Sequence, residues 1–207
     1  MPTPVVRGRR LLSAIDRLAK IGATRARDGT THDAADDDVG TFATDDALAF
    51  DPVPLLRAFA RVAAPVVVIG QVAGILHGSA ELTGDLDLLW SGDATEAGAV
   101  YTAFASLHAE LTDDDGGPLP LAPSSFVLAK VQFRVASAAG DCCTPKLPWG
   151  GLDVTAFVRR AVSADVDGVT VRYLALDDLI AMRHAVARPK DLRRAAELEA
   201  IAPSRTG

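Results

Sequence analysis

The sequence predicts an α/β chain, α+β in its layering: a small mixed sheet flanked by helices, with further helices at the C-terminus. Three observations predict it. Short β-branched runs alternate with stretches of helical period. Residues 66–90 read strand, glycine turn, helix and strand in one unbroken unit. Finally, 49% of the 207 residues are apolar, enough for one sizeable core.

Each element follows from local chemistry. Residues 9–20 place Leu11, Leu12, Ile15 and Leu18 at helical spacing. Residues 22–47 are rich in Asp, Thr, Gly and Ala with no apolar period, and read as a flexible acidic linker. The chain thus divides into an N-terminal extension, 1–48, and a folded domain, 49–204. That domain opens on a helix capped by Asp51, with Pro52 in its first turn and Leu55, Leu56, Phe59 and Val62 on its buried face. Pro65 ends the helix, and residues 66–69 form a buried strand.

After Gly70 a short helix covers residues 72–77, broken at Gly78 and Ser79. Residues 86–90 form a second strand and 95–107 a helix. A loop follows at 113–123, then strands at 126–135 and 141–144, a turn at 145–151 and a helix at 153–161. A hairpin turn at 166–169 leads into a strand over 169–174. Asp177 caps a helix over 178–186, and Pro189 opens a last helix running to Ile201.

Composition excludes several classes. No apolar run reaches the roughly 18 residues of a membrane span, and the N-terminus lacks the pattern of a secretory signal. A net charge of -6 disfavours broad nucleic-acid binding, which needs a positive surface. Cys142 and Cys143 are adjacent, a poor geometry for a disulfide, and read as reduced thiols of a cytoplasmic protein. Trp90 and Trp149 are isolated, and do not read as a stacking platform of the sort that single-strand binders use. His77 and His184 share no metal-ligand spacing and read as structural.

The chemistry concentrates in residues 66–90. Asp85 and Asp87 sit at i and i+2 on a strand, so their carboxylates share a face. Two neighbouring carboxylates repel, and a divalent cation such as Mg²⁺ or Mn²⁺ removes that conflict. The turn at Gly70 leads into a helix N-terminus, whose free N–H groups attract phosphate. Together these are the equipment for phosphoryl or nucleotidyl transfer.

The same segment resembles the core motif of minimal nucleotidyltransferases, in the branch of abortive-infection and toxin–antitoxin enzymes. The resemblance lies in Gly70-Gln71, His77-Gly78 and Thr83-Gly84-Asp85-Leu86-Asp87, in the helix opened by Phe50-Asp51-Pro52, and in the helical ending at 176–201. It covers roughly residues 50–202. It implies metal-dependent transfer of a nucleoside monophosphate from an NTP to a hydroxyl of RNA, protein or a small molecule, and an antitoxin protein as a possible partner. A third carboxylate is implied from a neighbouring strand; Asp141 is the candidate and Asp153 its competitor, the latter looking more like a helix cap. Arg183 matches a lysine that faces the triphosphate. Lys190 is implied in phosphate contact and Asp191 in a polar structural or catalytic role, while Gly70, Gln71 and Thr83 complete the nucleotide-binding set. Two departures stand out. Gln71 replaces a small residue, where it either crowds the phosphate or donates to it. Glu81 and Gly84 stand where relatives carry basic residues. A non-catalytic module binding a nucleotide or a protein is the alternative.

Overall fold

The computed structural model describes residues 3–24 and 47–202. The acidic linker expected at 22–47 falls outside them from residue 25 to residue 46. Seven α-helices are described: α1 (Pro4–Thr24), α2 (Val53–Arg61), α3 (Gly70–His77), α4 (Ala97–Ala105), α5 (Val154–Arg160), α6 (Leu176–Val186) and α7 (Pro189–Ile201). The strands are β1 (Val67–Val68), β2 (Leu88–Leu89), β3 (Glu110–Thr112), β4 (Pro118–Leu119), β5 (Lys130–Val135), β6 (Ala138–Cys143), β7 (Val162–Val166) and β8 (Val169–Tyr173). All eight join one mixed sheet in the order β4-β3-β5-β6-β2-β1-β8-β7. The β2–β6 and β1–β8 pairs are parallel, and the rest are antiparallel.

The mixed α/β class is therefore the observed one, but the sheet is larger than the small sheet expected. Hairpins extend it at both edges. On one side, residues expected as loop contribute β4, which pairs with β3; on the other, β7 pairs with β8 across the turn at Asp167-Gly168. The strand expected from Phe126 starts later, because residues 123–127 form a 3-10 turn. Helix α3 begins at Gly70 itself, and α6 begins before Asp177, which lies in its first turn rather than at its cap.

The core explains the order of elements. Strands β1 and β2 carry only fully buried aliphatic residues, as expected of strands covered on both faces. Phe104 of α4 meets Phe59 of α2 edge-on at 5.1 Å and stacks on Phe126 at 4.8 Å. Trp90 is completely buried and donates its indole N–H to the Phe126 carbonyl at 3.1 Å. Helix α1 belongs to this core as well: Leu11, Ala14 and Leu18 are buried in it. Gly8 lets α1 lie against the backbone of Asp165 in β7, where a Cβ would collide with the carbonyl. Among the described residues no helix is long and apolar enough to cross a membrane.

Candidate functional site

A cavity of about 270 Å³ opens at the junction of β2 and β6. Sheet register brings its acidic side together. Leu88 pairs with Cys142 in the parallel β2–β6 ladder, so one step back Asp87 lies level with Asp141. Extended pairing continues there, since Leu86 N–H donates to the Ala139 carbonyl at 2.9 Å and Ile69 N–H to the Asp87 carbonyl at 2.8 Å. With side chains alternating, Asp85 and Asp87 share the cavity face, whereas Leu86 is fully buried on the other. Asp85, Asp87 and Asp141 all line the cavity. Asp153 does not: its side chain caps α5, accepting from Ala156 N–H at 2.9 Å.

Gly70 brings the turn close to these carboxylates. It has a φ of +62°, in the left-handed region that glycine tolerates, and a Cβ there would collide with the Asp87 carboxylate. Thr83 is fully buried and does not line the cavity; its hydroxyl donates to Asp85 Oδ1. Thr83 therefore orients a carboxylate instead of reaching a ligand.

The opposite wall is helical. Leu179, Met182, Arg183 and Val186 lie at i, i+3, i+4 and i+7 and form the cavity face of α6. Ala187 then adopts a left-handed conformation, ending α6 and turning the chain back into α7. From the start of α7 come Lys190, Asp191 and Arg194, with Arg188 just before it. Arg183 is buried, donating Nη1 to Asp191 Oδ1 at 3.1 Å and Nη2 to Gln71 Oε1 at 2.9 Å. Asp191 also accepts from Arg188 Nε at 2.6 Å. The amide nitrogen of Gln71 donates to Ser79 Oγ at 2.8 Å and to the Glu81 carbonyl at 2.9 Å. Gln71 is thus committed to protein groups, neither crowding the turn nor presenting a donor to a ligand. Arg183 Nε is buried without a hydrogen-bond partner.

Electrostatics follow from this layout. Burial first, then the charges of Asp85 and Asp141, raise the Asp87 carboxyl well above the usual carboxylate range, against the pull of Arg183 and Arg194. Lys130 of β5 stands beside Asp141 at 3.7 Å and also pairs with Asp114. Burial opposes its charge, but the bond to Asp114 and the Asp141 carboxylate outweigh that and hold its pKa above the ordinary lysine value. Burial lowers the Arg183 pKa, aided by Arg194 and opposed by Asp191, Asp87 and Glu81.

Hard carboxylate oxygens from half-buried Asp85, Asp87 and Asp141 suit Mg²⁺ or Mn²⁺ in donor chemistry. Among the described residues, however, no group of three or more His, Cys, Asp or Glu side chains is gathered so that it would hold a metal ion as it stands. The acidic side chains share a cavity without forming a closed ligand cluster.

The cavity therefore brings together Gly70, Gln71, Asp85, Asp87, Asp141, Arg183, Lys190 and Asp191. Sequence reasoning missed Lys130, Trp149, Arg188 and Arg194, which also line it. A signal for Lys130 existed: it lies two residues before Gln132, which pairs with Asp141, so Lys130 and Asp141 share a sheet face. His77 and His184 lie elsewhere. His77 Nε2 donates to the Leu174 carbonyl at 2.8 Å, and His184 faces Glu199 at 2.9 Å. Compared with known proteins, the chain matches no family model and no curated protein sequence.

Proposed function

We propose that this cavity is the active site of a metal-dependent nucleotidyltransferase, which moves a nucleoside monophosphate from an NTP to a hydroxyl acceptor. One observation carries the reading. Asp85, Asp87 and Asp141, from two distant stretches of sequence, front one cavity together with the Gly70 turn and Lys190. Three carboxylates crowding a half-buried position are costly for the fold alone, and Asp87 bears that cost. Such a cost is expected where a site serves chemistry instead of stability.

In this reading Asp85, Asp87 and Asp141 hold the divalent cation. When bound, it supplies charge neutralisation at the reacting phosphate and the leaving pyrophosphate. The chain's own groups do the rest. Thr83 fixes the orientation of Asp85. The N–H groups at the start of α3 face the phosphates. Lys190 balances their charge from the opposite wall, and Lys130 steadies Asp141. Acceptors of the proposed activity are RNA, a protein or a small molecule, and an antitoxin protein is a proposed partner of a toxin-type enzyme.

A second reading has its own observation. The cation expected to face the triphosphate, Arg183, is instead tied to Asp191 and Gln71. That favours a module which binds a nucleotide without transferring it. The experiment separating the two supplies each labelled NTP with Mg²⁺ or Mn²⁺ and total RNA or cell lysate, using wild type and Asp87→Asn. Label appearing on an acceptor with wild type and lost in the variant supports the enzyme. Nucleotide binding without transfer moves the assignment to the binding module, and absence of nucleotide binding overturns both.

A further inference from the structure

We propose that Trp149 is a stacking platform for the base of the bound nucleotide, so that the cavity holds a nucleoside triphosphate by both its charged and its aromatic ends. This rests on the reading of the cavity as a nucleotide site, and it identifies the part of the lining that charged groups leave unexplained. The apolar lining comes largely from two elements: Leu147 and Trp149 from the turn after β6, and Leu179, Met182 and Val186 from α6. These elements adjoin, since a Cβ at Gly150 would lie 3.5 Å from the Ala185 methyl. Val186 is 47% exposed at the end of α6.

Trp149 differs from the other tryptophan in what it does for the fold. Trp90 is wholly interior. Trp149 is half-buried and borders the cavity, with its ring held by an indole N–H donated to the Thr144 carbonyl at 2.9 Å. That bond lies within its own turn, so the indole needs no polar partner from a ligand and offers only an aromatic surface. Planar heteroaromatic rings match such a surface, and stacking of this kind tolerates any base. Arg188 and Lys190 line the same cavity, so phosphates and base find complementary groups within one space. A bare polyphosphate would leave the indole unused, and a free nucleoside would leave the charged wall unused.

The test measures binding of ATP, adenosine and inorganic tripolyphosphate, each with Mg²⁺, to wild type, Trp149→Ala and Trp149→Phe, by calorimetry and by tryptophan fluorescence. ATP should quench wild-type fluorescence, and tripolyphosphate should not. The Ala variant should lose about tenfold in ATP affinity while tripolyphosphate affinity stays unchanged, and the Phe variant should recover most of the loss. Unchanged ATP affinity in Trp149→Ala overturns the inference and leaves the nucleotide site standing. A parallel loss of ATP and tripolyphosphate affinity overturns it too, because the turn would then only be structural. If adenosine binds and depends on Trp149 while tripolyphosphate does not bind, the platform stands and the nucleotidyltransferase reading falls. If none of the three binds wild type, both fall.

Discussion

The Asp87 carboxylate occupies the space in which a side chain at Gly70 would lie. Turn and carboxylate are therefore one device: the absence of a side chain at position 70 is what seats position 87 against the turn. Gly70→Ala should fail twice. Alanine at a φ of +62° costs about 1–2 kcal/mol in backbone strain alone, and Asp87 must move to admit the methyl group. We expect a lowered melting temperature together with loss of NTP-dependent transfer. Wild-type transfer by a destabilised Gly70→Ala would show that the position of Asp87 does not matter.

Asp87→Asn should abolish transfer while leaving the metal-free protein as stable as wild type, or more stable. The folded state holds the Asp87 proton more tightly than the unfolded chain, where an aspartate titrates near about 3.9. The contribution to stability is therefore full below about pH 4 and is lost as pH rises through the raised folded-state pKa. Asparagine cannot ionise and escapes that loss. Melting curves from pH 4 to pH 8 should show the variant gaining on wild type as pH increases. A variant several kcal/mol less stable at pH 8 would make Asp87 a structural carboxylate.

Arg183 and Asp191 are each only 5% exposed along their side chains and bonded at 3.1 Å. Asp191→Ala leaves the guanidinium buried without its anion, which costs roughly 3–5 kcal/mol. Urea unfolding checks the figure. Replacing both together, as Arg183→Met with Asp191→Leu, should recover much of the loss, because apolar residues of similar volume pack without a desolvation penalty. A double variant as weak as the single one would show that the bond from Arg183 to buried Gln71 Oε1, lost with the guanidinium, matters as much as the ion pair.

His77 gives a separate dependence on pH. Burial depresses its pKa below 6.5, with Arg7 and Arg10 acting in the same direction and the Leu174 carbonyl opposing. The unfolded chain binds this proton more readily, so the stability His77 contributes is present above about pH 6.5 and is lost as pH falls through the folded-state value. Wild type should soften on mild acidification, and His77→Gln should soften less. Equal slopes in the two proteins over pH 7 to 5 would place the acid sensitivity elsewhere.

Much of the site was legible because it is local. Gly70, Asp85 and Asp87 lie within one strand–turn–helix–strand unit, where spacing alone decides which side chains share a face. Asp141 could be named but not placed, since its position depends on the register between β2 and β6, a contact between distant segments. Arg183 is legible as a cavity residue, but its bonds to Gln71 and Asp191 are not, because they come from the packing of α6 and α7 on α3. β7 has the apolar–polar alternation of a half-buried strand, Val162-Ser163-Ala164-Asp165-Val166, and the hairpin turn at 166–169 implies it, but its five residues gain their ladder only by pairing with β8. Trp149 is an isolated tryptophan in the sequence; apart from nearby Leu147, most of its apolar neighbours on the cavity wall come from α6, a distant segment.

Cys142 and Cys143 occupy successive positions of β6, so their sulfurs point to opposite sides of the sheet, and only Cys143 borders the cavity. Burial, reinforced by the Asp141 charge, raises both thiols far above the ordinary cysteine value, so the native protein presents almost no thiolate to an alkylating reagent. The strand bearing Asp141 thereby carries a two-channel clock. In Cys142→Ala, the rate of iodoacetamide labelling reports opening on the cavity side; in Cys143→Ala, it reports opening on the opposite side. A ligand seated in the cavity should slow the first rate more than the second. Equal protection of both thiols would mean that the ligand acts by stabilising the whole molecule, and rapid labelling of either in native conditions would mean that β6 is not packed.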